Sequence, residues 1–186
     1  MGPLASGTGK SRKGRRMNDA VVTNILAHMY AGDKRLNEEQ KKKLFAYALN
    51  KVKVGAYGSA ADILCAENQT GLLLGFGRRL LEHQLFQEAF LFLRQVECQE
   101  EMRQIAILAE AKLDYYIAGA AYAAGNWRDE FLILMNRLID EGDEDSEVLH
   151  AGAAQELCIR WTDPPLKSVD ITPEEQSIVD TYLPRQ

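Results

Sequence analysis

Apolar residues recur at helical spacing along most of this chain, most sharply over residues 70–96. Leu73, Phe76, Gly77 and Leu80 form one stripe at steps of three and four. After a polar break at 82–84, Phe86, Ala89, Leu93 and Val96 form a second. The pattern predicts two short amphipathic helices folded back on each other. Gly77 and Ala89 are the small residues that would let the two backbones approach. A hairpin of this size cannot bury its apolar face alone, so stacking on further hairpins is expected.

The same periodicity continues on both sides. Residues 18–30 carry Val21, Val22, Ile25, Leu26 and Met29 on one face. Asn37 and Gln40 stand at the two positions of a capping box, and the helix they open runs to about residue 54. Gly55-Ala56-Tyr57 predicts a tight turn before a helix over 58–66. Residues 105–124 read as one long helix or as two joined near Leu113-Asp114, and 127–139 as an amphipathic helix carrying Phe131, Leu134, Met135 and Leu138. A further helix is expected over 148–161 before Asp163-Pro164-Pro165 stops the array. Thr172-Pro173-Glu174-Glu175 then signals a short final helix. Residues 118–121 and 151–154 are identical Ala-Gly-Ala-Ala tetrads. The expected fold is all-α: about three irregular hairpins, the third over 112–140, with flanking N- and C-terminal helices. Residues 1–17 read as a disordered tail, 18–161 as the repeat domain, and 162–186 as a Pro-containing linker and short helix.

Charge narrows the partners. The net charge is −5, yet residues 1–17 hold five basic residues (Lys10, Arg12, Lys13, Arg15, Arg16) and no acid. The remainder has 17 basic and 27 acidic residues, a net charge of −10. An acidic body argues against a nucleic-acid surface, which needs a positive field. The basic run reads as a localisation signal, an electrostatic tether or a non-native leader ahead of Met17. No stretch reaches 18 apolar residues, so no membrane span is expected; a cytoplasmic location is expected from the reading of the cysteines as reduced thiols. Cys65, Cys98 and Cys158 are odd in number and far apart, and read as reduced core thiols.

Chemistry-bearing motifs are missing. Gly7-Thr8-Gly9-Lys10-Ser11 lacks both the earlier glycine of a phosphate loop and a preceding strand. The acidic run 140–147 lacks the glycine of a calcium loop and reads as a solvated connection. His28, His83 and His150 share no metal-ligand spacing, and no serine sits in a nucleophile elbow. Neither a catalytic residue, a metal site nor a cofactor is expected, so the predicted role is non-catalytic.

Gly55, Tyr57, Ala60 and Leu64, with Leu44, Tyr47 and Ala48 before them, resemble the marker positions of a tetratricopeptide repeat. Leu73, Phe76, Gly77, Leu80, Ala89, Leu93 and Val96 occupy the same set one unit later, with Ala89 standing for Ala60 and Leu93 for Leu64. The resemblance implies that first helices line a concave face. That face would take Phe45, Leu49 and Val52, then Leu74, Arg78 and Leu81, then Tyr116 and Ala120. Phe45, Leu49, Leu74, Arg78, Leu81 and Tyr116 are therefore the candidate partner-binding residues, for capture of a peptide segment. The alternative is that this stripe packs against a terminal helix of the chain itself.

Residues 44–64, with Leu44-Phe45-Ala46, Asn50 and Gly55, and Leu74-Gly75-Phe76-Gly77 also resemble the class II type III secretion chaperones. That likeness implies three repeats, a translocator subunit as client and dimerisation through N-terminal helices. The stretch between Ala89 and Gly125, about seven residues too long, departs from it. Gly125-Asn126-Trp127 repeats the pattern of Gly55-Ala56-Tyr57, a turn glycine followed two residues later by an aromatic, and with the helix after it resembles the pentatricopeptide RNA readers. The acidic body and unit spacings of 29, about 42 and 33 oppose that reading. The expected function is a protein-interaction adaptor, scaffold or chaperone, with another protein, or a second copy, as partner.

Overall fold

A computed structural model describes residues 37–185. The helix expected over 18–30 and the basic tail lie outside them. Nine helices run through the described residues: α1 (Glu38–Lys53), α2 (Tyr57–Ala66), α3 (Thr70–Glu82), α4 (Phe86–Leu93), α5 (Gln99–Ala111), α6 (Tyr115–Gly125), α7 (Arg128–Asp140), α8 (Asp145–Thr162) and α9 (Pro173–Tyr182). The fold is all-α; its one β feature among these residues is an isolated bridge between Val96 and Leu166.

The helix starts follow local chemistry. At α1, the Asn37 side chain accepts from the Gln40 amide at 2.8 Å, and the Gln40 side chain accepts from the Asn37 amide at 2.9 Å. Thr172 and Glu175 repeat this capping box at α9, with Pro173 in the first turn.

The helix ends reveal the plan of the molecule. Gly55, Gln84, Leu113 and Gly142 all have left-handed backbone, and their numbers rise by one constant step, from 55 to 84 to 113 to 142. After each, the next amide donates to the carbonyl five residues back, at 2.9 Å in all four turns: Ala56 to Lys51, Leu85 to Leu80, Asp114 to Ala109, Asp143 to Leu138. This is the Schellman ending, which satisfies the last carbonyls and lets the next helix start within three residues. Each turn closes one hairpin: α1/α2, α3/α4, α5/α6 and α7/α8. Asn68 and Asn126, also left-handed, end α2 and α6 in the same way.

The repeat is therefore regular, with the period set by those four turns, and the third hairpin is α5/α6 rather than 112–140. The turn equivalent to Gly55-Ala56-Tyr57 is Leu113-Asp114-Tyr115. Its glycine is replaced by a leucine at φ +61°, which hides it from a search for turn residues. The core obeys the period too. Ala60, Ala89 and Ala118 are fully buried, as are the positions Leu64 and Leu93. Phe76 and Phe92 meet at a centroid separation of 5.8 Å inside the second hairpin.

The two layers pack differently. Second helices stack directly: α2 on α4, α4 on α6, and α6 most extensively on α8. The tetrads explain that last contact. A Cβ at Gly119 would lie 2.0 Å from the Leu149 carbonyl oxygen, and one at Gly152 would lie 2.0 Å from the Tyr116 oxygen. The tetrads are thus two faces of one helix crossing, not markers of the repeat. Gly77 plays a similar part within its hairpin, pressed against Leu93. First helices are joined mainly by side chains that span the gaps. Arg78 of α3 reaches Glu101 of α5 at 2.6 Å, and Arg103 of α5 reaches Glu130 of α7 at 3.5 Å.

A buried carboxylate ties the array across its repeats. Glu156 of α8 lies 2.6 Å from Arg94 and 3.0 Å from Arg160. After α8 the tail crosses back. The Leu166 amide donates to Gln95 and its carbonyl accepts from Glu97, both at 2.8 Å. That bridge forms at the connection between α4 and α5, where the left-handed turn is missing and the backbone groups need other partners.

Candidate functional site

Helix α3 is buried on nearly every side: within it, every residue from 70 to 77, together with Arg79 and Leu80, is inside. The C-terminal helix α9 covers one of its faces. Gly71 and Gly75 leave room for it, Glu175 lying against the first and Val179 with Ile171 against the second. Arg79, 3% exposed, is held by α9: it donates to Asp180 at 2.6 Å and to the Leu183 carbonyl at 2.8 Å. The Arg79 guanidinium in turn holds the Asp180 carboxyl below the usual range by hydrogen bonding to it.

On its other flank, α3 faces α5 across an open groove of about 580 Å3. Arg78, Leu81 and Glu82 line it from α3, and Glu100, Glu101, Gln104, Ile107 and Leu108 from α5. Leu81, Ile107 and Leu108 give an apolar lining, and Ile107 is 52% exposed. Three carboxylates face one guanidinium, and that guanidinium is engaged: Arg78 Nε donates to Glu101 Oε1 at 2.8 Å. Glu82 lies 2.8 Å from Arg79 Nε. The lining contains no thiol, hydroxyl or imidazole. Among the described residues, no group of three His, Cys, Asp or Glu side chains is placed to hold a metal ion. The arrangement suits recognition of an apolar, positively charged segment.

Of the six sequence candidates, the structure brings Arg78 and Leu81 together in this groove. Leu49 and Leu74 are buried, at 6% and 4% exposure. Phe45 is half-buried on α1. Tyr116 sits on α6, in the other layer, where its hydroxyl donates to Gln155 of α8. The remaining lining residues escaped sequence reasoning, although the period would have found some. Leu49, Arg78 and Ile107 are equivalent positions in successive repeats, so Ile107 is the third-repeat position that the register assigned to Tyr116. The C-terminal helix covers the Gly71–Gly75–Arg79 face of α3, whereas the alternative concerned the stripe of Leu74, Arg78 and Leu81, of which Arg78 and Leu81 line the open groove.

The thiols differ from the expectation of three core cysteines. All are free, but only Cys98 is buried; Cys65 is half-buried and Cys158 exposed. Burial pushes the Cys98 thiol up to about 12. No described helix is long and apolar enough to cross a membrane.

Comparison of the chain with protein-family models, curated proteins and solved structures yields no match.

Proposed function

We propose that this chain is a non-catalytic protein-interaction module, an adaptor or chaperone that binds a segment of another protein in the groove between α3 and α5. The observation that supports this most is the groove itself, with Ile107 half out of its wall and carboxylates at its rim. Apolar side chains of a bound segment would release water from Leu81, Ile107 and Leu108. A basic residue would meet Glu82 and Glu100. Rim charges of this kind add more to specificity and association rate than to affinity. The hairpins are shorter than a tetratricopeptide repeat of about 34 residues, but the same principle applies: a preformed surface built from repeats binds without ordering itself first. A type III secretion chaperone would be one instance of this act, shielding an apolar client segment.

The test is quantitative co-purification of the full chain from its native cells, with mass spectrometry of what accompanies it. Ile107→Glu should lose the partner while circular dichroism stays unchanged. Ile133→Glu, at an exposed site on α7, should retain it. Equal recovery with both variants would refute the proposal.

A further inference from the structure

The open groove has a filled counterpart one repeat earlier. Along α9, Glu175 meets Gly71, Val179 meets Gly75, and Asp180 with Leu183 meets Arg79. Residue numbers rise together on the two helices, so α9 runs parallel to α3, and it also touches α1. One repeat after Gly71, Gly75 and Arg79 stand Glu100, Gln104 and Leu108. All three line the open groove. On the opposite wall, one repeat after Leu49, Val52 and Lys53 of α1 stand Arg78, Leu81 and Glu82, and these line it too. The gap that α9 occupies and the gap that stands open are the same site in successive repeats.

We infer that the open groove takes an amphipathic helix of a partner protein, running parallel to α5. This deepens the groove reading above and rests on it. The substitutions between repeats dictate the ligand's chemistry. Where α9 sets Glu175 beside a glycine, the ligand meets Glu100, so a Lys or Arg belongs there. Where α9 sets Asp180 on Arg79, the ligand meets Leu108 with Ile107 beside it, so a leucine-sized side chain belongs there. Glu100 and Gln104 stand out where Gly71 and Gly75 do not. The ligand helix therefore lies further from α5 than α9 does from α3, and a long basic side chain spans the difference. Helix α9 itself is wrong for this groove, because its carboxylates would face Glu100 and find no arginine at 108.

The probes are synthetic peptides of residues 172–185, each stapled between positions 177 and 181, which face solvent on α9. One has the native sequence; a second carries Glu175→Lys and Asp180→Leu; a third carries Asp180→Leu alone. Each is titrated onto the full chain by fluorescence anisotropy. The doubly changed peptide should bind at least tenfold tighter than the native one, with the third between them. Glu100→Lys in the chain should abolish the preference for Lys over Glu at peptide position 175, and Ile107→Glu should weaken the doubly changed peptide at least tenfold. Equal binding of the three peptides, binding of none, or binding indifferent to the groove variants would each overturn the inference. The peptide comparison does not depend on how any chain variant folds. If the peptides fail while partner recovery still depends on Ile107, the groove reading stands and the helical ligand falls; if both fail, both fall.

Discussion

Replacing Gly119 or Gly152 by alanine tests the closest contact in the array. Each new Cβ would lie 2.0 Å from a carbonyl oxygen of the facing helix, so α6 and α8 must separate by more than 1 Å to reach ordinary contact. Overpacking of a rigid crossing costs about 3 kcal/mol, the upper end of the usual range, where backbone cannot yield. Alanine returns about 1 kcal/mol of helix propensity over glycine. Each single variant should therefore lose about 2 kcal/mol, a fall of roughly 1 M in urea midpoint. The contacts are reciprocal: Gly119 faces Leu149, and Gly152 faces Tyr116. Separation forced by one alanine makes room for the other, while the propensity gain is counted twice. The double variant should thus lose only about 1 kcal/mol, a coupling of about 3 kcal/mol in its favour. Gly58→Ala is the control, since its Cβ would meet only Leu91 at 3.8 Å; it should leave stability unchanged or raise it. Urea unfolding followed by circular dichroism reads all four. Additive losses in the double variant, or singles as stable as the parent, would refute the crossing as described.

Other consequences follow from the same contacts. Arg79 holds the Asp180 carboxyl below its ordinary range. That attachment is complete above the ordinary aspartate value and is lost as pH falls through the depressed one. Protease cleavage within 163–171 should accelerate as pH falls through that window, and Asp180→Asn should remove the pH dependence. Glu156→Ala should cost about 3 to 5 kcal/mol in urea unfolding, because it strands Arg94 and Arg160 largely out of water. A thiol reagent near pH 8 should modify Cys158 first, Cys65 slowly, and Cys98 only on unfolding, as the number of thiols titrated against urea will show.

Much of the fold is legible in the sequence because it is written locally. The Asn37 and Thr172 caps, the turn at Gly55 and the stripes of the first two hairpins each follow from a few adjacent residues. The register of the third hairpin is not, because Leu113 adopts a conformation that sequence associates with glycine. Reading Gly125 as the equivalent turn moves the third unit by half a repeat and makes a regular period look irregular. The identical tetrads add to the confusion, since they mark a crossing between α6 and α8. The candidate site is legible only in Arg78 and Leu81. Leu74 shares their stripe by spacing, but α2, α4 and α9 all pack on α3, which periodicity on one helix does not reveal. The docking of α9 on Gly71, Gly75 and Arg79 links residues about a hundred positions apart. No local pattern encodes such a contact. The equivalence of Glu100, Gln104 and Leu108 to that docking face becomes visible only once the period is known.

The most direct measurement places a photoreactive benzoylphenylalanine at position 107 of the full chain and, separately, at position 133, followed by irradiation in native cells. The expected result is one dominant adduct from position 107, mapping to a helical, basic and apolar segment of a single protein, with none from position 133. Adducts of equal yield from both positions, or from position 133 alone, would contradict the assignment of the groove between α3 and α5 as the binding site.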